Sequence, residues 1–224
     1  MSEVVLIVAA HADDEVLGCA GTIAKHISQK DEVFTVFLAD GVTSRENVTI
    51  AELEMRNIAA NKSQRVLGIK KSYSLGFPDN RMDSIPLLDI VQKLETIINE
   101  LQPKIIYTHH LGDLNIDHQV AHKAVMTACR PQPNFCVKKI YSFEVLSSTE
   151  WQTPSYLPFV PNVFVDISDY IDIKRHVLDI YNLEMRQPPH SRSVENSICL
   201  AKLRGASTGY SYAEAFIMIR ELRD

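Results

Sequence analysis

Near its start the chain carries seven consecutive apolar residues, Val4-Val5-Leu6-Ile7-Val8-Ala9-Ala10, and runs without a spacer into His11-Ala12-Asp13-Asp14-Glu15. A run of this length, rich in β-branched side chains, offers water no polar face. It reads as a strand covered on both sides at the centre of a parallel sheet. Open α/β sheets bind their ligands outside the carboxyl ends of their strands, so the histidine and three acids stand where such a sheet holds its chemistry. A dinucleotide-binding turn would carry G-x-G-x-x-G at the same place. Here ligands and acids take the position of a phosphate cradle.

Five more segments read as strands: Glu32 to Leu38, Ser72 to Leu75, Lys104 to His109, Lys138 to Val145 and Asn162 to Asp166. Helical patterns separate most of them. One runs from Thr49 to about Leu67, opened by Thr49 and Glu52 in capping-box spacing and closed by Gly68. A second starts at Pro86, suited to a first helical position, and repeats Leu87, Val91, Leu94, Ile98 and Leu101 until Pro103 stops it. The stretch after Ser168 reads helical to about Met185, Pro188-Pro189 forces a loop, and a last helix spans Ser193 to Leu203. This alternation predicts a three-layer α/β/α fold with a mostly parallel sheet. With no repeat, low-complexity tract or linker, the 224 residues are expected to form a single domain, 1–224.

Composition narrows the partners. Twenty-three basic residues face 28 acidic ones, a net charge of -5, with no Lys/Arg block, so no electrostatic footprint for nucleic acid exists. The early apolar run is far shorter than the roughly 20 residues of a membrane span. Only Ser2 and Glu3 separate it from Met1, which predicts neither signal peptide nor transmembrane helix. The four cysteines form no CxxC pair, suiting a reducing cytoplasm. Any metal ligands are then to be sought among eight histidines and the carboxylates.

Two clusters meet that requirement. His11, Asp13 and Asp14 follow the first strand, and adjacent carboxylates beside an imidazole repel unless a cation or shared proton compensates. Capping of the next helix by Asp13 or Asp14 is the bland alternative, and it leaves the histidine unexplained. The second cluster, His109-His110-Leu111-Gly112-Asp113-Leu114-Asn115-Ile116-Asp117-His118, follows another expected strand and should end at the same sheet edge. Together they would supply a His, Asp, His set with open positions, as hydrolytic zinc requires. His118 and His122 are four apart on an expected helix, but Gln119 cannot serve as the base of a zincin motif, so His122 reads as a helix-face or supporting residue. His26 and His176 read as surface or packing residues without acidic company.

His11-Ala12-Asp13-Asp14-Glu15 with Val16-Leu17-Gly18, followed later by Asp117-His118, resembles the LmbE/PIG-L family of zinc-dependent sugar N-deacetylases, whose leading signature is A-H-P-D-D-E. The resemblance extends through the Arg45 and Arg56 region, Gly76-Phe77-Pro78-Asp79 and Tyr212-Ala213-Glu214-Ala215-Phe216. Ala12 replaces the usual proline, and Asn115 stands where bacterial relatives often carry a histidine. The resemblance implies a Rossmann-like fold in which His11, Asp14 and His118 bind Zn2+ or another divalent metal. It also implies Asp13 as general base, which chemistry allows because a carboxylate beside a ligand can reach the attacking water without entering the coordination sphere.

A donor to the oxyanion is then needed, and Asn115, His109, His110 or His190 offers one. Asp117 reads as an orienting group for an imidazole, or as a turn aspartate. For substrate binding, Arg56 is the first choice, with an ion pair to Glu52 as its rival; Arg45, Asp79, His190 and Arg192 follow on loops. The implied activity is removal of an N-acetyl group from an N-acetylated amino sugar or sugar conjugate, in surface polysaccharide or glycoconjugate synthesis, by a cytoplasmic enzyme that is compatible with homo-oligomers. An amidase for a non-sugar N-acyl substrate and a non-catalytic α/β binding module are the alternatives.

Overall fold

The computed structural model describes residues 2–41, 43–44 and 50–223. Its strands are β1 (Val4–Ala9), β2 (Glu32–Ala39), β3 (Lys71–Phe77), β4 (Ile105–His109), β5 (Lys139–Phe143), β6 (Val163–Asp166) and β7 (Ala213–Glu221). Its helices are α1 (Asp14–Ser28), α2 (Ile50–Leu67), α3 (Leu87–Leu101), α4 (Ile116–Ala128), α5 (Ile171–Ile180) and α6 (Val194–Ala206). The strands form one sheet in the order β3-β2-β1-β4-β5-β7-β6. This is the three-layer α/β/α architecture that the alternation implies.

β1 lies at the centre because both of its faces are apolar. Val5 and Ile7 pack with Val16, Ala20 and Ile23 of α1 and Val177 and Leu178 of α5. Leu6 and Val8 pack on the other face with Ile90, Leu94 and Ile98 of α3 and Val120 and Ala124 of α4. In register, β1 pairs in parallel with β2 on one side (Ile7 opposite Thr35) and with β4 on the other (Ile7 opposite Tyr107). The chain leaves β1 towards β2 and β3 but later returns beside β1 as β4, so the strand order reverses between β1 and β4. Crevices in open α/β sheets form at such a reversal.

Several local expectations shift. β3 is longer than the Ser72 to Leu75 segment, and Pro86 is the residue before α3 rather than its first helical position. The segment after Ser168 is a 3-10 turn followed by α5, which ends at Ile180, short of Met185. Thr49 lies outside the described residues, whereas Gly68 does close α2, with φ +86 and its N–H on the Gln64 carbonyl at 2.9 Å. Ser193 caps α6 by accepting from Asn196 N at 3.1 Å.

The largest difference is β7, which the strand pattern does not announce. It runs antiparallel between β5 and β6, and among the described residues is the one strand with that direction. It brings Glu214 beneath α1, where its carboxylate accepts from Gly21 N at 3.0 Å, from Thr22 N at 2.7 Å and from Lys174 Nζ at 2.6 Å. Lys174 is 2% exposed and also donates to the Val16 and Leu17 carbonyls. One buried ion pair thus ties α1, α5 and β7 together. Close approach helps: a Cβ on Gly18 would lie 2.5 Å from the Phe143 ring, so only glycine lets α1 sit this near β5.

Lys174→Met leaves the Glu214 carboxylate buried without its cation and should destabilise the fold by about 3–5 kcal/mol in urea unfolding. Cys19, Cys129 and Cys136 are buried and Cys199 is exposed. Burial pushes the Cys129 thiol up to about 12 and Cys19 well above its ordinary value. A thiol titration with Ellman's reagent at pH 8 should therefore show Cys199 reacting fast, the others only on denaturation.

Candidate active site

The turn after β1 and the loop after β4 meet at the carboxyl ends of the two strands. His11 and Asp14 come from the first, Asp14 being in the opening turn of α1; His118 comes from the opening turn of α4. Asp14 Oδ2 lies 3.2 Å from His11 Nδ1 and 3.3 Å from His118 Nε2, and also accepts from His11 N at 2.9 Å. Both imidazoles thus point at one carboxylate oxygen. The three residues are buried, with their ligand atoms within 4.8 Å of one another.

The electrostatics of this group fit a cation. Burial alone would strip both rings of their protons, but carboxylates outweigh it. Asp117, Asp14 and Asp79 hold His11 well above its usual value, and Asp14 and Asp113 raise His118 to about 9. Meanwhile Asp14 Oδ1 is buried with no hydrogen-bond partner. A buried carboxylate oxygen without a partner, on the acid whose other oxygen both imidazoles contact, costs free energy unless a group fills the gap. The set His11, Asp14, His118 has the chemistry of a divalent-cation site with open positions.

Each ring is held from behind. Asp113 Oδ1 is 3.1 Å from His118 Nδ1, and Asp113 is itself fixed by Asn115 N at 2.9 Å, Thr149 Oγ1 at 2.6 Å and Ser148 Oγ. Although burial opposes it, His118 and those two hydroxyls lower the Asp113 carboxyl to about 2. His11 Nε2 faces Asp79 Oδ1 at 3.0 Å and Asp117 Oδ2 at 3.1 Å. Asp117 also accepts from Asn80 N at 2.7 Å and Met82 N at 3.0 Å, pinning the loop that follows β3. Carboxylates behind ligand histidines fix tautomer and ring direction.

Asp13 sits at the cap position of α1 with φ 130 and makes no capping hydrogen bond, so the capping explanation for it falls away. Its carboxylate lies between two guanidiniums instead: Arg192 Nη1 at 2.9 Å from Oδ2 and Arg56 Nη2 at 3.4 Å from Oδ1. Its N–H is held by Glu15 Oε2 at 2.9 Å, and Tyr181 donates to the other oxygen of Glu15. Burial raises the Asp13 carboxyl above its ordinary value against the pull of Arg192 and Arg56. A positive φ on a non-glycine residue costs about 1–3 kcal/mol; these contacts hold it there.

The remaining candidates separate by position. Arg56 is buried rather than on the surface, and reaches Asp13, the Ala12 and Gly41 carbonyls and Glu184. Asp79 is inside the cluster, 4% exposed, with its carboxyl near 2 because His11 and Ser44 outweigh burial. Asn115 spends its amide on structure, accepting from Asp117 N at 2.8 Å as the cap of α4 and donating to Asn80 at 3.0 Å. His190 lies on the loop before α6, its ring 5.5 Å from that of Trp151. Arg45 falls outside the described residues. His176 is exposed, whereas His26 has the acidic company denied to it on sequence, Asp31 Oδ2 at 2.7 Å, and Tyr107 OH at 3.0 Å. Asp113 and Glu15 carry no assigned role in the sequence reading. Asp113 sits in the histidine-rich loop, but its partners Ser148 and Thr149 bear no local signal.

Residues 6–129, from β1 through both site loops to the end of α4, match the family model described as PIG-L, GlcNAc-PI de-N-acetylase. The chain belongs to that family. Among its PIG-L relatives, the uncharacterized deacetylase YaiS of Escherichia coli (strain K12) is 28% identical over 177 residues, covering 76% of this chain and 85% of YaiS. The diacetylchitobiose deacetylase of Thermococcus kodakarensis is 26% identical over 232 residues, covering 94% and 80%. The fold is shared with N,N'-diacetylchitobiose deacetylase from Pyrococcus horikoshii in complex with its inhibitor MPG, at TM-score 0.79 and 22% identity over 98% of this chain and 84% of that one.

Gly112 shows how tightly the PIG-L site loop is packed. A Cβ there would collide with the Leu157 carbonyl and lie 2.7 Å from His110 Nε2. Gly112→Ala should therefore cost about 1–3 kcal/mol and lower the melting temperature.

Proposed function

We propose that this protein is a metal-dependent hydrolase, one domain over 1–224, that removes the N-acetyl group from an N-acetylated amino sugar or sugar conjugate. The observation that carries this reading is the meeting of His11 Nδ1 and His118 Nε2 on Asp14 Oδ2, whose sister oxygen is buried without a partner, with Asp13 beside them and outside the ligand set. Membership of the PIG-L family, and relatives named as deacetylases of an acetylated sugar, support it.

In this reading His11, Asp14 and His118 hold the cation, zinc being the metal that suits two imidazoles and a carboxylate. When bound, such a cation lowers the pKa of a water and polarises a carbonyl. The chain supplies the rest. Asp13 takes a proton from the attacking water and passes it to the amine as the C–N bond breaks. Asp113 and Asp117 keep the His118 and His11 rings aimed, and Arg56 fixes Asp13 from below through Oδ1. His190 is the residue we assign to sugar hydroxyls, whereas Asp79, proposed on sequence for the same task, is buried against His11 and Ser44. We place the enzyme in the cytoplasm, in glycoconjugate or surface polysaccharide synthesis; its four unpaired cysteines fit a reducing compartment.

The test is acetate release from N-acetylglucosamine, N,N'-diacetylchitobiose and a nucleotide-linked N-acetylglucosamine. Activity should vanish on chelation and return with zinc. Asp13→Asn should lower kcat by about 10²–10⁴ while the protein still binds one zinc. Release of acid only from non-sugar amides would reassign the substrate, and an Asp13→Asn variant at full rate would remove the base.

A further inference from the structure

Amide hydrolysis places a negative charge on the carbonyl oxygen, and a fixed donor aimed at that oxygen is worth orders of magnitude in rate. The side chains first in line for the task are committed elsewhere. The Asn115 amide caps α4 and holds Asn80. His109 is fully enclosed, its ring stacked at 3.9 Å on that of His118, with Nε2 taking the Ala10 N–H at 2.9 Å. His110 Nε2 is bonded to the Leu157 carbonyl at 2.7 Å. His190 uses Nδ1 to accept from Arg192 N at 3.1 Å, and no contact joins it to Asp13.

Arg192 does face the reacting groups. Its Nη1 lies 2.9 Å from Asp13 Oδ2, and its Nε donates to Ser147 Oγ at 2.8 Å. Among the described residues, its Nη2 has no hydrogen-bond partner. Its side chain is 20% exposed, whereas that of Arg56, on the opposite side of Asp13, is 7% exposed. The carboxylate of Asp13 therefore has a closed side, filled by Arg56, and an open side, where Arg192 presents an idle N–H edge.

We propose that Arg192 is the oxyanion donor of the reaction, taking over the negative charge that Asp13 gives up. This rests on the deacetylase reading above. As water attacks, its O–H bond breaks, the proton goes to Asp13, the new C–O bond forms, and the C=O π pair moves onto the carbonyl oxygen. Asp13 becomes neutral in the same step that makes the oxygen negative. Arg192, held in place through Nε, keeps a counter-charge by donating Nη2 to that oxygen. The carbonyl then re-forms, the C–N bond breaks, and the nitrogen takes the proton from Asp13, giving amine and acetic acid. Arg192 thus binds the transition state more strongly than the ground state, which raises kcat rather than lowering KM.

The experiment compares wild type, Arg192→Gln and Arg192→Lys, each loaded to one zinc per chain and checked for native circular dichroism. Turnover of N-acetylglucosamine is measured beside calorimetric binding of its methylphosphonamidate analogue, which carries a tetrahedral oxyanion, and of the product glucosamine. Arg192→Gln should lose about 10²–10³ in kcat with KM within about threefold. It should bind the analogue more weakly by a similar factor and glucosamine unchanged, and Arg192→Lys should regain part of both. Arg192→Gln with wild-type kcat, or with lost kcat but full affinity for the analogue, overturns the proposal. Absence of acetate from any sugar with the wild type would instead sink the deacetylase reading, while analogue binding still reports on Arg192.

Discussion

The parallel pairing of β1 with β4 is the interaction on which the site depends. Ile7 opposite Tyr107 fixes the register, and that register brings His109 to the end of β1, where its Nε2 accepts at 2.9 Å from the N–H of Ala10, next to His11 in the chain. A shift of one residue would reverse which face each side chain takes. Everything that follows in the two loops, including the approach of His118 to Asp14, inherits its position from this ladder. The pairing is secure because both strands are buried along nearly their whole length, so neither can slip without exposing part of the core.

Holding so many charges out of water is costly, and the structure distributes the cost. Asp117 is satisfied by two backbone N–H groups of the 80–82 loop, Asp113 by two hydroxyls and a backbone N–H, and Asp13 by two guanidiniums. The exception is one oxygen of Asp14. That unpaired oxygen, on the carboxylate where two imidazoles converge, defines where a cation fits more sharply than the number of acids does. Enclosure and the neighbouring His118 lower the His109 ring to about 4. It is therefore neutral, and it stacks on His118 without adding a competing charge.

The sequence conveys the centre of this architecture and little of its periphery. β1 and the motif after it are readable because a doubly buried strand leaves an unbroken apolar run, and because histidine and acids directly after such a run have few structural uses. β7 is not readable in the same way. Its neighbours β5 and β6 lie far from it in the chain, and Glu214 in its second position looks like a surface residue until α1 and Lys174 close over it. The pairing of Asp13 with Arg192 spans 179 residues and leaves no local trace. Asn115 misleads for a chemical reason: an amide three residues before a ligand can serve as a donor or as a helix cap, and only the positions of Asp117 N and Asn80 decide.

The late arrival of β7 affects how the sheet is completed during synthesis. β3, β2, β1, β4 and β5 form a continuous parallel set by residue 143, all in place before the last third of the chain exists. β6 follows in sequence, yet its sole neighbour in the sheet is β7, so residues 163–166 have no strand to join until 213–221 emerge. The same segment delivers Glu214, the carboxylate to which α1 and α5 are tied. The two ligand loops can therefore be set early, while the clasp that anchors the helix carrying Asp14 closes last. For a nascent chain, this separates the ability to gather a cation from the ability to hold its geometry.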